Sequence, residues 1–185
     1  MNKNKIGSLL AYISSAIPEI NLRKLIKIVF LIDERSVLTR GLSVTWLDYY
    51  VWEKGPVAPC IYDIKNNGGE FARFVMTEKN DEEKYIVQPM ISRQTSTMQF
   101  SPKELLLINS ILEEYGHLSA DELTEITHCV GGLWDKAKKA NQLNFEHQKK
   151  TDVRIELSDL IVEDEEKLAR FVELGLMHEG YEVDK

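Results

Sequence analysis

A helix that is apolar almost all the way round is the feature that most constrains the fold of this 185-residue chain. The sequence predicts this helix from about Leu22 to Thr39, with Asn21 as its N-cap and Gly41 just beyond its C-terminus. The middle of the helix reads Ile26-Lys27-Ile28-Val29-Phe30-Leu31-Ile32. Because a helix of this kind is surrounded by protein rather than lying on a surface, we expect it at the centre of the domain.

An aromatic segment after this helix predicts a strand that is covered on both faces. Thr45–Trp52 is rich in residues that favour strands, and both of its alternating sets of side chains are largely apolar. Gly55 and Pro56 end the predicted strand. Pro59 then stands where a short helix would begin, since proline is well tolerated as the first helical residue.

The rest of the chain predicts a hairpin and several further helices. Phe71–Thr77 and Tyr85–Pro89 flank a polar turn and are interpreted as a hairpin added to the same sheet. Capping boxes at Ser101 and Ser119 each begin a helix, and a third helix begins at Leu133. The predicted fold class is α+β and mainly helical, with helices packed around a central apolar helix and a small antiparallel β-sheet. We expect a body over residues 1–142, followed over residues 143–185 by a linker and an acidic C-terminal segment with one helix.

The net charge of −7 lies entirely in the C-terminal segment. Residues 151–185 contain eleven acidic and four basic side chains, whereas residues 1–150 contain nineteen of each. This balance argues against a nucleic-acid-binding protein, which would need a basic surface. Glu163, Asp164 and Phe171 are instead candidate contacts for a basic partner. The alternative interpretation is a solvated tail that aids solubility.

Neither a membrane segment nor a cofactor motif is present in the sequence. No apolar run approaches the roughly 20 residues that a membrane helix needs, and the N-terminus does not have the pattern of a secretory signal. Cys60 and Cys129 form no C-x-x-C pair, so we interpret them as reduced core thiols of a cytoplasmic protein. The histidines lack paired metal-ligand spacing and no nucleotide-binding motif occurs. We therefore expect no metal and no cofactor.

The stretch Trp52–Pro59 joins the predicted strand to the short helix and contains two prolines and a glycine. None of its residues is an obvious nucleophile or metal ligand, and Pro56 lacks the N–H donor that a phosphate-binding loop would use. One interpretation is a purely structural clamp. The other is a rigid support that presents Trp52, Glu53 and Lys54 to a partner.

Cys60 and His128 are the candidate residues for a cysteine-dependent enzyme. Cys60 lies near a predicted helix N-terminus, which would lower the pKa of its thiol, and a dyad would require His128 to meet it in space. The competing interpretation is a buried structural cysteine and a hydrogen-bonded structural histidine.

Asp33 and Glu34 follow the apolar run of the central helix. They either form an internal ion pair, line a pocket or lie where the helix surface reaches solvent.

Two capped helices flank Gly116 with the spacing of a helix-turn-helix. The second of them begins Ala120-Asp121-Glu122, and carboxylates at that position would face the phosphates of DNA. The pair is therefore interpreted as an ordinary helical hairpin.

A set of short motifs, in this order along the chain, resembles the Panacea domain, also called the SocA-like antitoxin domain. The resemblance runs from about Leu22 to Lys138. The motifs are Leu25-Ile26-Lys27-Ile28-Val29-Phe30-Leu31, Arg40-Gly41-Leu42-Ser43, Tyr50-Val51-Trp52-Glu53-Lys54-Gly55-Pro56-Val57, Ile61-Tyr62-Asp63, Tyr115-Gly116, Leu118-Ser119-Ala120-Asp121-Glu122-Leu123, Thr127-His128 and Trp134. The residues taken as the family signature are Trp52, Gly55, Pro56, Val57, Tyr62, His128 and Trp134.

The resemblance implies an antitoxin of a bacterial or phage-borne toxin–antitoxin pair, which neutralises a co-encoded toxin by direct binding. A related member is similar to a proteolytic adaptor that delivers its toxin to a AAA+ protease, and this remains the alternative outcome of the same binding. The resemblance carries no catalytic residue to this chain, so we expect a non-enzyme. Members are often fused to a DNA-binding module, and no such module is recognised here. The identity of the toxin and the oligomeric state are left open.

Overall fold

The computed structural model describes residues 2–66 and 69–180 of the chain. Over these residues the fold is mainly helical α+β, as the sequence predicts. The described α-helices are α1 (Lys3–Ala16), α2 (Leu22–Arg40), α3 (Pro59–Tyr62), α4 (Arg93–Thr97), α5 (Pro102–Tyr115), α6 (Ala120–Thr127), α7 (Leu133–Ala140) and α8 (Glu165–Gly180). The strands are β1 (Tyr49–Trp52), β2 (Gly55–Val57), β3 (Val75–Lys79), β4 (Tyr85–Pro89) and β5 (Arg154–Ile155).

Helix α2 is the central element, which confirms the prediction from its apolar pattern. It packs against α1, α5, α6, α8 and β2, and every side chain from Leu25 to Asp33 is buried. The Asn21 side chain accepts a hydrogen bond from the Lys24 N–H at its start, and Gly41 ends it with a φ of 65°. This left-handed conformation favours glycine.

Asp33 anchors the chain that leaves α2. The residue is fully buried, and its carboxylate accepts hydrogen bonds from the backbone N–H of Val44 at 2.8 Å and of Thr45 at 2.9 Å. The hydroxyls of Thr45 and Tyr49 complete the set. Burial raises the pKa of Asp33, although these hydrogen bonds oppose the rise. The interpretation that Asp33 lies where the helix surface reaches solvent is therefore wrong.

The first sheet has the strand order β2-β1-β5, and both pairings are antiparallel. Val51 lies opposite Pro56, and Tyr50 lies opposite both Val57 and Arg154. The predicted strand over 45–52 is shortened to Tyr49–Trp52. Its first residues are diverted because Thr45 bonds to Asp33 and Trp46 adopts a φ of 56°.

The hairpin forms a second sheet of its own, so the expectation that it joins the first sheet is wrong. Strands β3 and β4 pair with each other, with Thr77 opposite Val87. Instead of the first sheet, β4 meets the start of α2, where the Val87 N–H donates to the Ile20 carbonyl at 2.8 Å. The hydrophobic face of the hairpin is thereby buried against helices.

The segment after α7 continues the first sheet. In the residues just before β5, the Lys149 carbonyl accepts a hydrogen bond from the Glu53 N–H and the Val153 carbonyl accepts one from the Val51 N–H, both at 2.9 Å. The sequence interpretation of this stretch as a linker therefore misses a strand-like pairing. The core also includes three side chains of this segment, Ile155, Leu157 and Ile161.

The expected boundary between 1–142 and 143–185 stays a prediction. Residues 67–68 and 181–185, along with Met1, lie outside the described residues. Buried side chains within residues 155–161 nevertheless belong to the core. A body that ended at residue 142 would lack them and would expose the apolar surface that they cover.

Capping explains where the later helices begin. Ser101 and Ser119 both form the predicted capping boxes, with Glu104 and Glu122 bonding back to the cap N–H. In the part of the chain that the structure describes, no helix combines the length and the hydropathy needed to cross a membrane.

Candidate partner-binding site

A half-open cavity of about 530 Å³ lies where α2 begins, beside the Gly55 junction. We call it the junction cavity. Four parts of the chain form its walls: the first turns of α2, the loop between β1 and β2 with α3, the hairpin turn, and the segment that extends the first sheet. Its lining residues are Asn21, Leu22, Arg23, Ile26, Lys27, Trp52, Glu53, Lys54, Val57, Tyr62, Glu83, Lys84, Tyr85, Lys149 and Lys150.

Lys27 is one of the lining residues of this cavity and is only 1% exposed. Among the described residues its ammonium has one hydrogen-bond acceptor, the Pro56 carbonyl, at the long distance of 3.5 Å. Burial lowers the pKa of Lys27 to about 7, and the nearby positive charge of Arg23 adds to the shift. A lysine in this state is close to half-protonated at neutral pH and has N–H donors to spare.

Gly55 is required by this arrangement for two separate reasons. Its φ of 107° lies in a region that side-chain-bearing residues rarely adopt. A Cβ at this position would also collide with the Lys27 Nζ atom and come within 2.9 Å of the His128 Nε2 atom. The junction therefore brings its backbone close to the two buried nitrogens, which only glycine permits.

His128 and Trp134 form the rear support of the junction. Their rings stack with centroids 3.7 Å apart and planes 8° apart. The Trp134 indole N–H donates to the Trp52 carbonyl at 2.9 Å, which ties α7 to the end of β1. This pair fixes the position from which Trp52 faces the cavity.

The His128 imidazole is neutral at physiological pH. Burial, together with the positive charges of Lys27, Lys138 and Lys54, lowers its pKa to about 4. The Nε2 atom is buried and has no hydrogen-bond partner among the described residues. The expectation of a hydrogen-bonded structural histidine is therefore wrong for this nitrogen.

An aromatic pair borders the mouth of the cavity. Trp52 and Tyr62 meet edge to face with ring centroids 4.9 Å apart. The Lys150 ammonium lies 4.5 Å from the Trp52 ring and 4.6 Å from the Tyr62 ring. This cation–π contact attaches the segment after α7 to the junction.

The cavity is basic although the whole chain is acidic. Six basic and two acidic side chains line it. Arg23 pairs with Asp121, and Lys84 pairs with Glu82. Among the described residues, no ion pair involves Lys54 or Lys149, both of which are exposed.

The structure brings the predicted signature residues together around one place. Trp52, Val57 and Tyr62 line the junction cavity, while the remaining four of the set lie against it or behind it. Those four are Gly55, Pro56, His128 and Trp134. Glu53 and Lys54, predicted as partner contacts together with Trp52, also line the cavity. Their role in binding stays a prediction.

The predicted contacts on the C-terminal segment lie elsewhere. Glu163 is exposed, and the Asp164 carboxylate accepts a hydrogen bond from the Lys167 N–H at 3.1 Å at the start of α8. Phe171 packs on Trp46 with ring centroids 5.0 Å apart. None of the three lines the junction cavity.

The two side chains of the predicted cysteine–histidine dyad border different parts of the structure. Cys60 lines a different cavity, beside Trp46 and Tyr50. Burial raises the pKa of its thiol to about 11, so the expected lowering by the helix N-terminus is wrong because desolvation outweighs it. No group of side chains among the described residues has the arrangement of a metal site.

Sequence reasoning missed Lys27 as a site residue. The signal was available, since Lys27 is the single charged residue within the apolar run from Leu25 to Ile32. A charge inside an otherwise apolar helix is either paired or functional, because its burial opposes folding.

The fold and the junction cavity define a class, a mainly helical α+β protein with a basic, aromatic-bordered site built around a glycine–proline junction. The model of the SocA-like antitoxin family, the Panacea domain, matches residues 25–135, and the chain belongs to this family. The match contains α2 from Leu25 onward, β1, the junction, α5, α6 and the first residues of α7. No curated protein and no solved structure matches the chain.

Proposed function

We propose that the protein is the antitoxin of a toxin–antitoxin pair and neutralises a co-encoded toxin by direct protein–protein binding in the cytoplasm. The observation that carries the proposal is membership of the SocA-like antitoxin family over residues 25–135. The structure adds that the family-matched region forms most of the walls of the junction cavity. A toxin is therefore the partner that we assign to this surface.

Two features of the site agree with a binding role. The titratable groups closest to the junction are held in fixed places by packing: His128 is stacked and neutral, and Lys27 is buried. The exposed groups at the mouth, such as Lys54 and Lys149, are basic side chains without a nucleophile beside them. A non-enzymatic role for the chain follows from the proposal.

Co-expression tests the proposal. The neighbouring reading frame is induced in a host with or without this chain, and colony formation is counted. We expect the neighbour alone to stop growth and the pair to grow normally. A neighbour that is harmless alone, or one that stays toxic in the presence of this chain, would contradict the antitoxin role.

The fate of the bound toxin distinguishes neutralisation from delivery to a AAA+ protease. Neutralisation by binding predicts that the half-life of the toxin is unchanged or longer when this chain is present, since the complex is stable. An adaptor would shorten that half-life, and the shortening would disappear in a host lacking the protease. A chase of the tagged toxin after inhibition of translation measures the difference.

A further inference from the structure

We propose that the junction cavity receives an acidic segment of the toxin, with an apolar side chain of that segment on the cavity floor and a carboxylate next to Lys27. The inference rests on the proposed function and names the contact surface and the chemistry of the partner. The C-terminal segment of this chain, which the sequence suggests for a basic partner, is a separate surface.

The size and the floor of the cavity suit a protruding side chain. Its volume of about 530 Å³ lies within the range of roughly 300–1,000 Å³ that is usual for binding pockets. Leu22, Ile26 and Val57 supply buried apolar surface on the floor. Pockets that bury one large apolar side chain supply most of the binding energy in many protein interfaces.

The charge of the cavity selects an acidic partner. The chain as a whole carries a net charge of −7, yet this one surface is lined by six basic and two acidic side chains. Glu83, one of the two acids, is itself paired with Lys79. A negatively charged segment would meet a complementary potential here and would be repelled by much of the remaining surface.

Lys27 is the strongest indication of a partner that enters the cavity. A buried ammonium with a single acceptor at 3.5 Å destabilises the fold relative to an apolar side chain of the same shape. Lys27 lines the cavity although it is only 1% exposed, and its ammonium lies against the backbone of Gly55. A carboxylate arriving at the floor would supply the missing acceptor and would be held by a desolvated, charge-assisted hydrogen bond.

A protein segment fits this site better than a nucleotide or a single-stranded nucleic acid. Base recognition uses free aromatic faces on which bases stack. At the mouth, the rings of Trp52 and Tyr62 contact each other and are covered by the Lys150 ammonium. The lining therefore offers cations and an apolar floor, while its paired aromatic rings are already occupied.

A charge-reversal experiment tests the proposed surface. The double substitution Lys149→Glu plus Lys150→Glu changes two exposed side chains at the mouth. A matched control, Lys103→Glu plus Lys136→Glu, makes the same change in net charge at two exposed positions that do not line the cavity. Binding to the purified product of the neighbouring reading frame is measured by calorimetry, and neutralisation is measured by co-expression.

We expect the mouth variant to bind at least about 10-fold more weakly than the control, and we expect its rescue of growth to fail. Lys27→Met provides a second variant that is expected to remain folded, since it removes a buried charge. It should also weaken binding about 10-fold or more, because the carboxylate of the toxin would be left unpaired in an apolar site.

Binding and rescue by the wild-type chain distinguish a failure of this inference from a failure of the proposed function. If the wild-type chain fails to bind or rescue, the antitoxin role is wrong and the cavity assignment falls with it. If the wild-type chain binds while both cavity variants bind as tightly as the control, the antitoxin role stands. In that case the toxin occupies another surface, and the inference is overturned.

Discussion

At the scale of single residues, two buried nitrogens beside Gly55 determine the character of the site. Lys27 reaches the junction from the central helix, and His128 reaches it from the end of α6. Both lose charge because of burial, and each has spare hydrogen-bonding capacity. Groups of this kind reduce stability, which makes their presence informative about function.

Lys27→Met is predicted to stabilise the protein by about 1–3 kcal/mol at neutral pH, because it replaces a buried amine with an apolar side chain. The folded-state pKa of about 7 lies below the usual lysine pKa of 10.5, so the unfolded chain binds more protons between these two values. The stability contributed by Lys27 therefore rises as the pH increases through this window. Urea unfolding at neutral pH and at about pH 9.5 measures both effects.

The difference between Lys27→Met and the wild-type chain should shrink at the higher pH. Groups common to both chains cancel in this comparison. A variant that is less stable than the wild-type chain at neutral pH would show that the ammonium is better paired than its one long hydrogen bond indicates.

His128 is predicted to titrate with a pKa of about 4 in the folded protein. Because this pKa lies below the usual histidine pKa of 6.5, the stability associated with the neutral ring is present above pH 6.5 and is lost as the pH falls toward 4. The chemical shifts of its ring protons, followed by NMR between these limits, report the pKa. A midpoint at 6.5 or above would contradict the buried, stacked position.

The structural roles of single residues could be predicted from the sequence only in part. The caps at Asn21, Ser101 and Ser119 follow local rules and are confirmed. No such local rule predicts the burial of Lys27 and Asp33, because their burial depends on which distant segments pack against α2. Asp33 is buried since the loop at Val44 and Thr45 returns to it.

At the scale of elements, the loop between β1 and β2 is constrained by several other parts of the fold. The backbone of Gly55 is held between β1, α2 and His128. The two strands that flank the loop are short, so the conformation of the loop depends on these tertiary contacts more than on strand pairing.

Gly55→Ala is predicted to destabilise the protein by about 3 kcal/mol or more, since it adds a collision to an unfavourable φ. Gly131→Ala is a matched control. Gly131 also has a positive φ, at 81°, but a Cβ there would meet open space. Its substitution should cause a loss of about 1 kcal/mol. Thermal unfolding of both variants measures the difference, and equal losses would contradict the close packing at the junction.

The segment after α7 is predicted to be needed for folding up to about residue 162. A chain that ends at residue 148 loses β5 and the buried side chains of Ile155, Leu157 and Ile161. This loss should reduce the free energy of unfolding by about 4 kcal/mol or more. A chain that ends at residue 162 lacks only α8, whose Phe171 and Leu168 are half-buried, and should unfold cooperatively.

Circular dichroism during urea unfolding compares the two shortened chains. Equal stability of the chain ending at residue 148 and the full-length chain would show that the body is complete without this segment. That result would support the boundary at residue 142 that the sequence suggests.

The elements were predictable where the signals are local. Apolar periodicity and capping boxes located both ends of α2 and the starts of α5 and α6 to within one or two residues. The pairing of residues 149–155 with β1 was missed in the sequence. Residues 152–155 do alternate polar and apolar side chains as a half-buried strand does, but the residues before them are polar and have no strand pattern of their own. Tertiary hydrogen bonds from Val51 and Glu53 order this stretch instead.

At the scale of the whole molecule, the charge distribution separates two surfaces. The junction cavity is basic, whereas the C-terminal residues 151–185 carry the entire negative net charge. The central helix α2 links the two surfaces. The first turns of α2 border the cavity, and the C-terminal end of α2 meets α8. There, a Cβ on Gly41 would come within 2.8 Å of the Lys167 backbone.

Family membership was predictable from the sequence because its motifs occur in a fixed order, and the family match over residues 25–135 confirms it. The cavity was not predictable, since its walls come from four separated parts of the chain. The motif at Gly55 indicated where to look, but only the packed structure shows Lys27 beneath it.

The most direct test of the antitoxin role is the mixture of this protein with the purified product of its neighbouring reading frame. Size-exclusion chromatography with light scattering measures the mass of the species that form, and growth of the co-expressing host is scored in parallel. We predict a stable complex of fixed stoichiometry and full relief of toxicity. Separate elution of the two proteins, together with a toxic neighbour that this chain does not rescue, would contradict the account.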